Sequence, residues 1–151
     1  MTHTQPNPAD AEASYGRSEL HIGSGAFRDV YRSATIPGWV YKYLDPTQPT
    51  PANHWEHDAW TAFSSGAEEW PKGIAMPETV LLNVEGHGPV LAARLIEGEQ
   101  PPACTEVQCI CAATRARMWS ACWRDAAAQV TFEVDDVLVV NGTLFVLDRG
   151  Q

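Results

Sequence analysis

Asn141-Gly142 stands between Val137-Leu138-Val139-Val140 and Thr143-Leu144-Phe145-Val146-Leu147, two apolar runs rich in β-branched residues. A two-residue link between strands needs positive φ at its centre. Asparagine and glycine tolerate that, so this stretch is committed to an antiparallel hairpin. The same pattern recurs upstream. Residues 20–43 fall into short β-prone pieces, Glu19-Leu20-His21-Ile22, Asp29-Val30-Tyr31-Arg32 and Trp39-Val40-Tyr41-Lys42-Tyr43, separated by Gly23, Gly25 and Pro37-Gly38. Alternation with turn residues predicts three antiparallel strands there. Thr79-Val80-Leu81-Leu82-Asn83-Val84 and Val90-Leu91-Ala92-Ala93-Arg94-Leu95-Ile96 predict two more, reversing through Glu85-Gly86-His87-Gly88.

Helical signals occupy two stretches. Asn53 is placed to cap a helix, with Glu56 three residues later completing a capping-box spacing. The helix is expected to run to about Phe63, with Trp55, Ala59 and Phe63 on one face, and to end before Ser64-Ser65-Gly66. Residues 105–128 are rich in Ala, Arg and Cys and lack glycine and proline, which predicts a long helix. Trp119 and Trp123, four apart, are expected in its core-facing stripe. Residues 97–102 end in Pro101-Pro102 and read as a connector, and residues 1–17, with little apolar content, as a mobile tail. The fold class expected is α+β: a five-stranded antiparallel sheet with one helix, then a long helix and a terminal β-hairpin. A chain of 151 residues can bury one such core without staples.

Charge narrows the partners. Nineteen acidic against ten basic residues give a formal net charge of −9, which repels nucleic-acid phosphates and anionic lipid and suits a basic protein partner. No apolar run approaches the roughly 18 residues of a membrane span, and the first residues lack a basic-then-apolar leader. Cys104, Cys109, Cys111 and Cys122 contain no Cys-x-x-Cys pair, so reduced, buried thiols in a cytoplasmic setting are expected rather than zinc. His54 and His57 are three apart on the first helix, but without a third ligand they read as a solvated edge.

One constellation points to chemistry. Gly23-Ser24-Gly25-Ala26-Phe27 joins the first two strands, and such a loop lets backbone amides approach phosphates. Lys42, flanked by Tyr41 and Tyr43 on the third strand, adds a cation within reach, and Glu56 on the following helix is placed to pair with it. Each has an ordinary reading as well. Gly-x-Gly hairpins are common, strand lysines usually face water, and a glutamate in a first helical turn is favoured by the dipole.

With the loop, Lys42, Glu56, the passage Ala92-Ala93-Arg94-Leu95-Ile96-Glu97-Gly98 and the terminal Asp148-Arg149-Gly150 in this order, the sequence resembles the protein-kinase-like superfamily, including atypical bacterial or phage kinase-like proteins. The resemblance implies a small lobe over residues 18–98 and a large-lobe remnant over 99–151. It implies ATP and magnesium as cofactors, with Gly23, Ser24, Gly25, Ala26, Phe27, Lys42, Glu56 and Arg94 about the nucleotide and Asp136 and Asp148 on the metal.

The departures bear on activity. The third glycine of the loop pattern is Arg28, which puts bulk and charge where phosphates would lie. Counting back from Asp148 sets Gln129-Val130-Thr131-Phe132-Glu133-Val134-Asp135-Asp136 against the family's catalytic stretch. Thr131 then stands at the catalytic-base position and cannot take a proton at neutral pH. Glu133, Asp135 and Asp136 read equally well as an acidic turn. With the segments that bind substrate expected to be missing, the reading is a truncated, catalytically weak or inactive pseudokinase acting through protein binding, with homodimerisation as a further possibility. The alternative is an acidic inhibitor or adaptor, viral or mobile-element encoded, that uses the scaffold without nucleotide.

Overall fold

The computed structural model describes residues 5–25, 27–66, 74–97, 137–140 and 143–146. The chain divides into two compact units, one built chiefly from residues 1–58 and 78–95, the other from residues 59–77 and 96–149.

The first unit is organised on a five-stranded antiparallel sheet of strands β1 (His21–Ser24), β2 (Arg28–Arg32), β3 (Trp39–Leu44), β5 (Thr79–Val84) and β6 (Gly88–Arg94). Their order is β1-β2-β3-β6-β5, so β3 is central and needs apolar cover on both sides. Its sequence supplies it, since residues 39–43 are all buried. Alternation sends Trp39, Tyr41 and Tyr43 to one face and Val40 and Lys42 to the other. The tyrosine face packs with Ala11, Ile36, Val84, Val90 and Ala92 into the main apolar cluster. Pro37 and Gly38 make the β2–β3 reversal, with Gly38 at φ 86°, a value that side chains tolerate poorly.

Two helices cover the two faces. The tail expected over residues 1–17 is not what its described part forms: α1 (Pro8–Ser14) is an ordered helix, N-capped by the Asn7 side chain bonding the Asp10 amide. The missed signal is polar rather than apolar. Asp10 is buried and accepts hydrogen bonds from Tyr41 Oη at 2.6 Å, Thr35 Oγ1 at 2.6 Å, the Thr35 amide at 3.1 Å and Ser33 Oγ. Ser14 Oγ accepts from the Ala34 amide, and Tyr43 Oη donates to the Ala11 carbonyl. Helix α2 (Ala52–Ser65) contributes residues 52–58 to this unit. It begins one residue before the expected cap and runs through Ser64 and Ser65. Its buried stripe in this unit is Ala52, Asn53 and Glu56, while Trp55, expected to share a face with Ala59 and Phe63, is 49% exposed.

In the second unit, β7 (Val137–Val140) and β8 (Thr143–Val146) pair antiparallel as the Asn-Gly signal requires. A two-residue strand, β4 (Ile74–Ala75), adds to β8 in parallel. It is too short to carry a periodicity and was not anticipated. The long helix expected over 105–128, the four cysteines, the 97–102 connector beyond Glu97 and the terminal Asp148-Arg149-Gly150 lie outside the described residues.

Asp10 sets an acid limit on the first unit. Burial pushes its carboxyl up, but hydrogen bonds from Ser33, Thr35 and Tyr41 outweigh that and hold it below the ordinary value of 3.8. A depressed folded-state value contributes stability that is present above about pH 4 and is lost as pH falls through the folded value. Asp10→Asn is expected to lower stability at pH 7 by about 2–3 kcal/mol, since bonds to a charged acceptor are exchanged for weaker ones. Stability followed by tryptophan fluorescence should therefore differ most between the two proteins at neutral pH, and the curves should converge below about pH 4.

Candidate functional site

Residues expected to act together meet on the Lys42 face of the sheet. Lys42 Nζ donates to Glu56 Oε2 at 2.8 Å, joining β3 to α2. Register explains the approach: Lys42 lies opposite Val30 on β2 and Leu91 on β6, so it projects from the middle of the sheet toward the first turns of α2.

Arg28 shares the same carboxylate. It opens β2 opposite Leu44, and alternation puts it with Val30 on the face that carries Lys42. Its Nη2 donates to Glu56 Oε1 at 3.0 Å and its Nη1 to Asn53 Oδ1 at 3.1 Å. Asn53 then donates through Nδ2 to the backbone carbonyls of Lys42 at 3.0 Å and Pro89 at 2.9 Å. The residue read as a helix cap is thus a buried crosslink between α2, β3 and β6. The cation expected to stand out toward phosphates is instead turned inward. Only 5% of the Arg28 side chain and 3% of the Glu56 side chain meet solvent, against 11% for Lys42.

Burial pushes the Glu56 carboxyl up, yet Lys42 and Arg28, by charge and by hydrogen bonds, hold it below its ordinary value. It is therefore ionised at neutral pH. The constellation can fix an ammonium in place and present it toward an anion, but it has no proton acceptor poised near neutrality.

The loop is closed at its β2 end, where the Gly25 amide donates to the Arg28 carbonyl and the Asp45 amide to the Phe27 carbonyl, both at 2.8 Å. A Cβ added at Gly23 would meet nothing within 4 Å, so packing does not demand glycine there and the backbone remains open to a ligand. Ser24 faces the other side of the sheet, donating from Oγ to Asp29 Oδ1, with His21 Nε2 at 3.1 Å. Ala26 lies outside the described residues.

Arg94 is not brought to this group. It pairs in register with Trp39, at the end of β3 away from the loop, and its guanidinium lies 4.4 Å above the Trp39 ring and 3.4 Å from Glu78 Oε1. Strand length decides this, because Arg28 pairs with Leu44 at one end of β3 and Arg94 with Trp39 at the other. Of the two helix histidines, His57 Nδ1 engages Thr79 Oγ1 at 2.8 Å and His54 is exposed. Among the described residues no group of three or more His, Cys, Asp or Glu is placed to hold a metal ion. Thr131, Asp136 and Asp148 lie outside them.

No family model and no curated protein matches the sequence. Among solved structures, that of an apo pseudokinase is similar, with a TM-score of 0.51 and 13% identity over 98% of this chain. The fold is therefore kinase-like. The match covers 63% of that chain, so the present sequence spans less than two thirds of its length.

Removing the shared carboxylate tests the energetic role of the cluster. Glu56→Gln removes the buried charge that Arg28 and Lys42 share and is expected to cost about 3–5 kcal/mol in urea denaturation. Lys42→Met, which leaves Glu56 its bonds to Arg28, should cost less. A double-mutant cycle between positions 42 and 56 should show coupling above about 1 kcal/mol.

Proposed function

We propose that this chain is a kinase-like module that works by binding rather than by phosphoryl transfer. Its glycine loop and Lys42 take a nucleotide weakly, and its role is exercised through a protein partner. The observation that carries this reading is the inward Arg28 side chain, which fills space on the Lys42 face and shares Glu56 with the lysine. The charge of Lys42 and the open backbone at Gly23 favour a phosphate-bearing ligand. Arg28, turned inward, braces the start of β2 and so limits how far the loop can settle onto such a ligand.

Phosphoryl transfer depends on positioning both reactants and on neutralising charge, with a base or water-orienting group at the acceptor. In the register of the resemblance, Thr131 replaces the base, while Asp136 and Asp148 are the residues that would hold magnesium. That ion would supply charge neutralisation on the phosphates. The remaining function is recognition, and a chain of net charge −9 favours a basic partner by long-range attraction. We place it in the cytoplasm. Among the described residues no helix is long and apolar enough to cross a membrane.

Titration with a fluorescent ATP analogue, with and without magnesium, tests the nucleotide half of the proposal. Wild type should bind weakly, Arg28→Gly should tighten binding by about fivefold, roughly 1 kcal/mol, and Lys42→Ala should abolish it. Failure of both wild type and Arg28→Gly to bind would leave the acidic-adaptor reading in its place. Radiolabelled phosphate transfer that disappears in Asp148→Ala would overturn the non-catalytic reading.

A further inference from the structure

The face of the sheet opposite Lys42 carries a second cluster that the kinase-like site does not use. Tyr15, the C-cap of α1, packs tilted or edge-on with its ring centroid 5.5 Å from that of Tyr31, 4.8 Å from Tyr43 and 4.4 Å from His87. Tyr31 in turn lies 4.9 Å from the His21 ring. Three elements remote in sequence, α1, the β1–β2 edge and the β5–β6 turn, thus converge on one aromatic surface. Tyr43 is its buried floor, whereas Tyr15 is 41% exposed.

Acidic residues lie on the same elements as these rings. Asp29 shares a pleat side with Tyr31, and its side chain is 43% exposed. Glu12 precedes Tyr15 by three residues on α1, and Glu85 precedes His87 by two in the turn; both are exposed. The nearby Arg17 is paired with Glu19 at 3.1 Å. Burial, and then the charge of Asp29, push the Tyr31 phenol above its ordinary value of 10.0, consistent with a negative local field.

The geometry points to this aromatic surface, with Asp29 beside it and the exposed Glu12 and Glu85 on the elements that carry Tyr15 and His87, as the docking site for a lysine- or arginine-bearing segment of a partner protein. The chemistry is complementary on two counts. Ring faces attract a cation through their quadrupole, and the carboxylates attract it by charge. An acidic segment would be repelled by the same carboxylates. The inference rests on the reading of this chain as a protein-binding module and gives that reading a surface.

Anisotropy of a labelled hexa-arginine peptide at pH 7.5, with hexaglutamate as control, tests it on the full chain. Wild type should bind hexa-arginine alone, and more weakly as salt rises. Tyr15→Leu keeps apolar area but loses the ring quadrupole, and should weaken binding by about two- to fivefold, whereas Tyr15→Phe should keep it. Asp29→Asn should weaken binding. Asp58→Asn, which removes the same charge from an exposed position on α2, should not. The proposal is overturned if wild type ignores the peptide, if Tyr15→Leu and Asp29→Asn bind as wild type does, or if Asp58→Asn loses as much as Asp29→Asn. Binding that is indifferent to Tyr15 and Asp29 would remove this surface and leave partner binding standing. The nucleotide titration reports on the opposite face and is unaffected by either result.

Discussion

The Glu56 carboxylate ties α2 to two strands on the Lys42 side of the sheet. Taking an ion out of water costs several kcal/mol, and a carboxylate 3% exposed stays charged only because charge-assisted bonds offset that cost. Here the offset comes from two cations on two different strands, Arg28 on β2 and Lys42 on β3. Neither cation can shift without weakening the anion's other bond. Asn53, one turn earlier on α2, repeats the lesson with a neutral group, spending its oxygen on Arg28 and its amide protons on the Lys42 and Pro89 carbonyls. The seating of the first turns of α2 is thereby fixed by polar geometry rather than by apolar area.

The opposite face solves the same problem differently. Asp10 is also a buried carboxylate, but its described partners are hydroxyls and an amide rather than cations. Its charge is spread over several neutral donors, which suffices to keep the carboxyl depressed. The Tyr41 phenol pays one consequence, pushed up by burial and then by the bond and charge of Asp10, so it remains a donor across the physiological range. Two ionised carboxylates, one on each side of β3, therefore orient two helices against one strand.

Much of this architecture was legible in the residues because it depends on local turn chemistry. Pro37-Gly38 and Glu85-Gly86-His87-Gly88 each force a reversal, the two runs flanking the Asn-Gly pair are antiparallel partners, and the strands follow by alternation. The Lys42–Glu56 contact was legible for a related reason, since strand parity and one helical turn are enough to bring them together. What escaped depends on long-range polar partners. Nothing near Asp10 in sequence shows that Ser33, Thr35 and Tyr41 will converge on it, and so α1 looked like a solvated tail. Asn53 has the local credentials of a cap, and only the carbonyls of Lys42 and Pro89 draw it into the interior. Arg94 stands apart from Lys42 because proximity in motif order does not measure distance along a strand.

Arg28 links the structure to what the molecule can do. A glycine at that position would leave the start of β2 without a side chain, and the loop free to settle onto a phosphate. An arginine braced by Glu56 and Asn53 removes that freedom, because any rise or fall of the loop at Arg28 stretches two buried hydrogen bonds. Such bonds to charged groups are worth about 1.5–3 kcal/mol each, comparable to the whole difference between useful and negligible nucleotide affinity. A pinned arch is poorly suited to cycles of binding and release, and well suited to hold a scaffold in one shape. The same sheet presents the Tyr15 aromatic cluster on its other side.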